Sequence, residues 1–150
     1  MTIPVEERVG YVLKRLQQAL RAAMDEALRQ RGLTTPQYAA LSALEQVPGL
    51  SNAELARRCF VTPQTMNEIV ANLEAAGLVT RRRAAADGRV VQTYLAPQGQ
   101  HLLADGHQAV EAIETRMGSG LSVAERHTLV DGLRRCIAAL EAPADPVMRA

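Results

Sequence analysis

Tryptophan is absent from this chain, phenylalanine occurs once, and aromatic residues reach only 3 % of the total. A core without large rings has to be assembled from Leu, Val, Ile and Ala, and with apolar residues at 47 % there is ample material for helices packed on helices. The two cysteines, Cys59 and Cys136, stand far apart and form no Cys-x-x-Cys pattern. No stretch resembles a signal peptide, and no apolar run is long enough to cross a bilayer, so a reducing, cytoplasmic location without a membrane partner is expected. Gly-rich phosphate loops, a nucleophile elbow and paired carboxylates are also missing. The expectation is a chain that is not an enzyme, with no catalytic residue, cofactor or metal. An excess of either charge is lacking too: the net charge of +1 excludes no partner class, because nucleic-acid binders often confine their cations to one face.

What is present is helical periodicity. Val9, Val12, Leu13, Leu16, Leu20, Ala23, Met24, Ala27 and Leu28 recur at steps of three and four, which predicts a long amphipathic helix stopped at Gly32. Thr34-Thr35-Pro36-Gln37 reads as a capping box opening a second helix, with Tyr38, Leu41 and Leu44 on its buried side and Pro48-Gly49 at its end. Ser51 to Glu54 is another such box and opens a short helix that runs out near Cys59-Phe60. Thr62-Pro63 then pairs an N-cap with a proline at the first helical position, and the helix it opens stops at Gly77.

Beyond Gly77 the period changes from 3.6 to 2. Leu78 to Arg83 and Arg89 to Leu95 read as two strands around a tip at 84–88. Leu102, Leu103, Gly106, Val110, Ile113 and Met117 carry a helix after Pro97, and Ser122 with Glu125 caps a last one bearing Leu129, Leu133, Cys136, Ile137 and Leu140. Cys136 is expected in the core. Residues 143–150 hold two prolines and no periodicity, which predicts a flexible tail.

Three short helices followed by a two-stranded hairpin is the order of a winged helix-turn-helix. The helix after Thr62 gathers Met66, Ile69, Val70 and Leu73 on one face. Its opposite face offers Gln64, Glu68, Ala71 and Asn72, flanked by Thr65 and Asn67. A helix entering the major groove needs such a face, since base edges are read by hydrogen bonds and bulk limits approach. Thr62 and the free amides of the helix start suit a phosphate. From Ser51 to Leu95 six arginines face four acids, and the excess sits in the hairpin as Arg81, Arg82, Arg83 and Arg89. An arginine-rich hairpin alone is often no more than a solvated edge. Joined to the polar helix face in this order, it points to duplex DNA, the rival class being a winged-helix protein-interaction module without DNA binding.

Leu33 to Tyr38, Leu50 to Ala56, Leu73 to Val79 and Asp87-Gly88-Arg89 followed by Leu95 to Gly99 together resemble the MarR (multiple antibiotic resistance regulator) family in order and spacing. The resemblance implies a mainly α fold with a small β-hairpin wing, divided into an N-terminal dimerisation helix (1–32), the winged helix-turn-helix (33–96) and C-terminal dimerisation helices (97–142). It also implies a homodimeric transcriptional regulator on a pseudo-palindromic operator. Apolar stripes on the terminal helices, with Val12, Leu13, Leu16, Val110, Ile113, Leu129, Leu133, Ile137 and Leu140, exceed what one wing domain covers and are assigned to the dimer. In the family the wing arginine, here Arg89, enters the minor groove and the nearby aspartate, here Asp87, holds it. Ser51 joins the DNA-facing set. Glu68 departs from the family's frequent arginine and offers an acceptor for cytosine N4. Ala96 replaces a threonine N-cap, a loss of about 1 kcal/mol if nothing substitutes.

Family members respond to small aromatic or phenolic effectors, for which Tyr11, Met24 and Tyr38 are the candidates here, although residues at such spacing also serve as core. Cys59 follows two arginines, which would lower a thiol pKa and suit a redox sensor; packing is the alternative. His107 and Glu111, with His101 a further turn back, have metal-compatible helical spacing but read as solvated side chains.

Overall fold

The computed structural model describes residues 3–143. It is mainly helical, in the order α1 (Val9–Arg29), α2 (Thr35–Gln46), β1 (Leu50–Ser51), α3 (Asn52–Arg58), α4 (Pro63–Ala75), β2 (Val79–Arg83), β3 (Val91–Leu95), α5 (Pro97–Met117) and α6 (Val123–Glu141), with one 3-10 turn at Val5–Glu7. The tail expected from 143 to 150 lies, apart from its first residue, outside the described residues.

The helix starts follow from their caps. At Thr34 the hydroxyl accepts from Gln37 N–H at 3.2 Å while Gln37 Oε1 accepts from Thr34 N–H at 3.0 Å. Ser51 with Glu54 and Ser122 with Glu125 form the same reciprocal pair, so each box satisfies amides that a helix start leaves open. Phe60 follows α3 in a left-handed conformation, φ 56°, and the residue is 95 % exposed.

The chain divides into two compact units, Met1–Ile113 and Glu114–Ala150. In the first, Leu28 and Leu33 join Leu41 and Leu44 of α2, Leu55 of α3, Met66, Val70 and Leu73 of α4, Val79 of β2 and Leu103 of α5 in one aliphatic core. Helices α1 and α5 thus both contribute to this core, through Leu28 and Leu103. Ile113 is buried, and Val110 is half-buried against the core. In the second unit no residue of α6 is buried. Cys136, expected in the core, is exposed, and so are Leu129, Ile137 and Leu140. Periodicity identifies an apolar face but not what covers it.

The sheet has three strands in the order β1-β3-β2, all antiparallel. Strand β1 was not anticipated, because two residues are too short to show a period. Its pairs Leu50↔Thr93 and Ser51↔Gln92 tie the start of α3 to the inner strand of the hairpin.

Candidate nucleic-acid interface

Helix α4 is amphipathic in the way the sequence implies. Met66, Val70 and Leu73 are buried, whereas Gln64, Thr65, Asn67, Glu68 and Asn72 are exposed. The Thr62 hydroxyl accepts from Thr65 N–H at 3.1 Å and donates to Thr65 Oγ1 at 2.9 Å. Both of its hydrogen-bonding roles are thus used to start the helix. Ser51 is likewise committed: its Oγ donates to Glu54 Oε2 at 2.8 Å and its N–H donates to the same oxygen at 2.8 Å. These donors hold the Glu54 carboxyl below the usual carboxylate range, the backbone amide contributing most.

The four hairpin arginines are not equivalent. Arg81 forks onto Glu74 at the end of α4, Nη2 to Oε1 at 2.9 Å and Nε to Oε2 at 3.2 Å. Side chains alternate along a strand, so Arg82 lies on the other face. There its guanidinium carbon sits 4.1 Å from the centroid of the Tyr94 ring, a cation–π contact. Tyr94 fits because residue 49 is glycine: a Cβ there would come within 2.9 Å of the Tyr94 hydroxyl. Arg83 Nη1 donates to Gly88 O at 2.7 Å and braces the tip. Arg89 is the open one, its side chain 93 % exposed, with Nε 3.5 Å from Asp87 Oδ1. Asp87 also accepts from Arg89 N–H at 3.0 Å, which orients the backbone that carries the guanidinium.

The Arg81 pairing lowers the Glu74 carboxyl, the hydrogen bond from Arg81 being the main cause. A carboxylate held low stabilises the fold above its ordinary pKa and loses that contribution as pH falls through the lowered value. Replacing Arg81 with Gln is therefore expected to move the Glu74 midpoint up toward the usual carboxylate range in a carbon-detected NMR titration. The parent should also lose more stability than the variant between about pH 5 and pH 3. An unmoved midpoint would show that the pair is not populated.

Helix α4 and the hairpin meet at one concavity of about 400 Å³, lined among others by Ser51, Asn52, Asn67, Arg81 and Arg89. Sequence reasoning selected four of these and missed Asn52, which showed itself only as a helix-start position. Arg82 and Arg83 do not line it.

A second hollow, of about 320 Å³, is lined by Met24, Thr35, Tyr38, Ala39, Ala43 and Arg58, among others. Met24 and Tyr38, paired in the sequence reading, do share it; Tyr11 does not line it and is exposed on α1. Arg58 was missed. His107 Nε2 donates to Glu45 Oε2 at 2.8 Å, a tautomer that leaves Nδ1 to accept the Tyr38 hydroxyl at 2.9 Å. Both ring nitrogens of His107 are engaged, so His107 itself offers no free nitrogen to a metal at its helical spacing with Glu111 and His101. Burial raises the Cys59 thiol, opposite to the lowering a reactive sensor needs. Among the described residues no helix is long and apolar enough to cross a membrane.

A family model described as MarR family matches residues 31–90. The HTH-type transcriptional repressor Rv2887 of Mycobacterium tuberculosis is 38 % identical over 118 residues, covering 79 % of this chain and 85 % of the relative. Its crystal structure as a MarR family protein in complex with salicylic acid superposes with a TM-score of 0.71 at 36 % identity, over 86 % of this chain and 96 % of that one. The PcaV transcriptional regulator of Streptomyces coelicolor, in complex with its natural ligand, gives 0.79 at 26 % identity, over 94 % and 99 %. The repressor CouR of Rhodococcus jostii, bound to a 23-mer DNA duplex, gives 0.81 at 25 % identity, over 91 % and 99 %.

Proposed function

We propose, from the premise that the chain belongs to the MarR family, that it is a sequence-specific duplex-DNA-binding transcriptional regulator, a repressor rather than an enzyme. The observation that carries the reading is the shared concavity: Asn67 of α4 and Arg89 of the hairpin line one hollow, so a single duplex can engage both elements. In this reading α4 lies in the major groove, with Gln64, Asn67, Glu68 and Asn72 turned to base edges. The hairpin is the wing, and Arg89 reaches the adjacent minor groove. Thr62 and Ser51 contribute through the helix starts they cap rather than through free hydroxyls. Asp87 and Arg83 shape the wing tip, Arg81 braces it against α4, and Arg82 serves the opposite face.

A homodimer fits the exposed apolar residues of α1 (Val12, Leu13, Leu16) and of α6 (Leu129, Ile137, Leu140), which a second copy would cover. Two-fold symmetry then calls for a pseudo-palindromic operator. The hollow containing Met24, Tyr38 and Arg58 suits a small aromatic acid, its ring among the apolar side chains and its carboxylate on the guanidinium. By linkage such an effector would weaken DNA binding. The site of action is the cytoplasm.

Fluorescence anisotropy with duplexes enriched from a random library tests the reading. Affinity should fall steeply and linearly with salt on logarithmic axes, because bound cations release counterions. Sedimentation should give twice the 16.2 kDa chain mass. A monomer with salt-independent or absent DNA binding would instead favour the protein-interaction module.

A further inference from the structure

Asn52 opens α3 directly after Ser51, the residue paired with Gln92 of the wing. Its Nδ2 donates to Pro63 O, in the first turn of α4, at 2.9 Å. Pro63 does not need that donor, because a carbonyl at the head of an α-helix already accepts the N–H four residues on, here that of Asn67. The other end of the amide gains nothing: Asn52 Oδ1 is buried and has no hydrogen-bond partner among the described residues. Turning the amide round would set Oδ1 against the Pro63 carbonyl, acceptor against acceptor. A bare buried acceptor counts against folding. Asparagine at this position thus bears a cost at one atom and makes a bond at the other that satisfaction of Pro63 does not require.

That combination makes sense if the direction of the bond matters. It runs from a point anchored to the wing, through the β1 pairs, to the head of the helix bearing Gln64 and Asn67. Among the described side chains it is the hydrogen bond that joins the start of α3 to α4, and Asn52 lines the same concavity as Asn67 and Arg89.

We propose that Asn52 is a positioning residue which sets α4 at a fixed angle to the wing, so that base discrimination depends on it although it reads no base. The inference rests on the DNA-binding reading above. Asn52→Leu tests it, being close in size, free of polar atoms and relieved of the bare acceptor. Affinities of parent and variant are measured for the parent's enriched duplex and for a scrambled one, across a range of salt, alongside thermal unfolding.

The variant is expected to unfold at or above the parent's temperature and to keep its salt slope. It should bind scrambled duplex within about twofold of the parent while losing about tenfold or more of the preference for the enriched site. Asn52→Ala gives the same readout should the leucine variant fail to fold. A preference equal to the parent's in the folded variant overturns the inference and leaves the DNA reading intact. A parent that binds no duplex overturns both.

Discussion

Replacing Arg89 with Ala should weaken binding to every duplex, enriched or scrambled, by about tenfold or more at moderate salt, and should lower the slope of log affinity against log salt by about 2, about 1 for each protomer of the dimer. The other wing arginines are held by the protein itself: Arg81 by Glu74, Arg82 by the face of Tyr94, Arg83 by Gly88 O. Arg89 has only the exposed contact with Asp87, and its guanidinium is otherwise bare. A surface ion pair of that kind contributes little, so exchanging it for phosphate oxygens costs little. Arg82→Ala supplies the contrast. Its guanidinium lies on the far side of the wing, and DNA affinity should change by less than about threefold, the loss falling on packing against Tyr94 instead. Gln64→Ala should leave the salt slope alone and change preference at one or two base pairs by about 1–3 kcal/mol. An Arg82 variant more damaging than the Arg89 variant would invert the assigned faces of the wing.

The largest effect on stability is expected at Gly99. An added Cβ would lie 2.0 Å from Leu78 O and 3.0 Å from the Leu78 carbonyl carbon, and a backbone cannot rotate aside as a side chain can. That carbonyl also accepts from Ala96 N–H at 3.0 Å, so the start of α5 and the start of the wing are joined where the methyl would enter. Gly99→Ala should therefore cost about 3 kcal/mol or more in urea unfolding, at the upper end of overpacking effects. Gly106→Ala is the milder comparison. Its Cβ would meet the Tyr38 ring at 2.9 Å, and a ring edge can tilt at the expense of its hydrogen bond to His107. A Gly99 variant as stable as the parent would mean that α5 does not cross Leu78 so closely.

The contact at Gly99 also shows where reading the chain runs out. Gly99 belongs to a stretch whose order and spacing resemble a family, yet nothing local distinguishes it from the glycines that face open space, such as Gly10 or Gly132. The three consecutive arginines illustrate the same limit. Alternation along a strand says that Arg82 differs from its neighbours, but it does not say that Glu74, Gly88 and Tyr94 await them. Cys136 sits at the right helical phase for a core, yet among the described residues it is exposed. Tyr38 was legible as an apolar position, whereas its bond to His107, 69 residues away, and the bond of His107 to Glu45, 62 residues away, were not.

The amino-acid order alone determined the helix starts at Thr34, Ser51, Thr62 and Ser122, the stops near Gly32 and Gly77, the buried stripe of α4 and the hairpin. Each of these depends on hydrogen bonds and side-chain phase within one or two turns of chain. Tertiary structure decided which arginine stays open, that two residues at Leu50–Ser51 bind the wing to α3, and that Asn67 and Arg89 border one hollow. Those outcomes require segments distant in sequence to meet, and the geometry of that meeting is set by core packing rather than by any local signal.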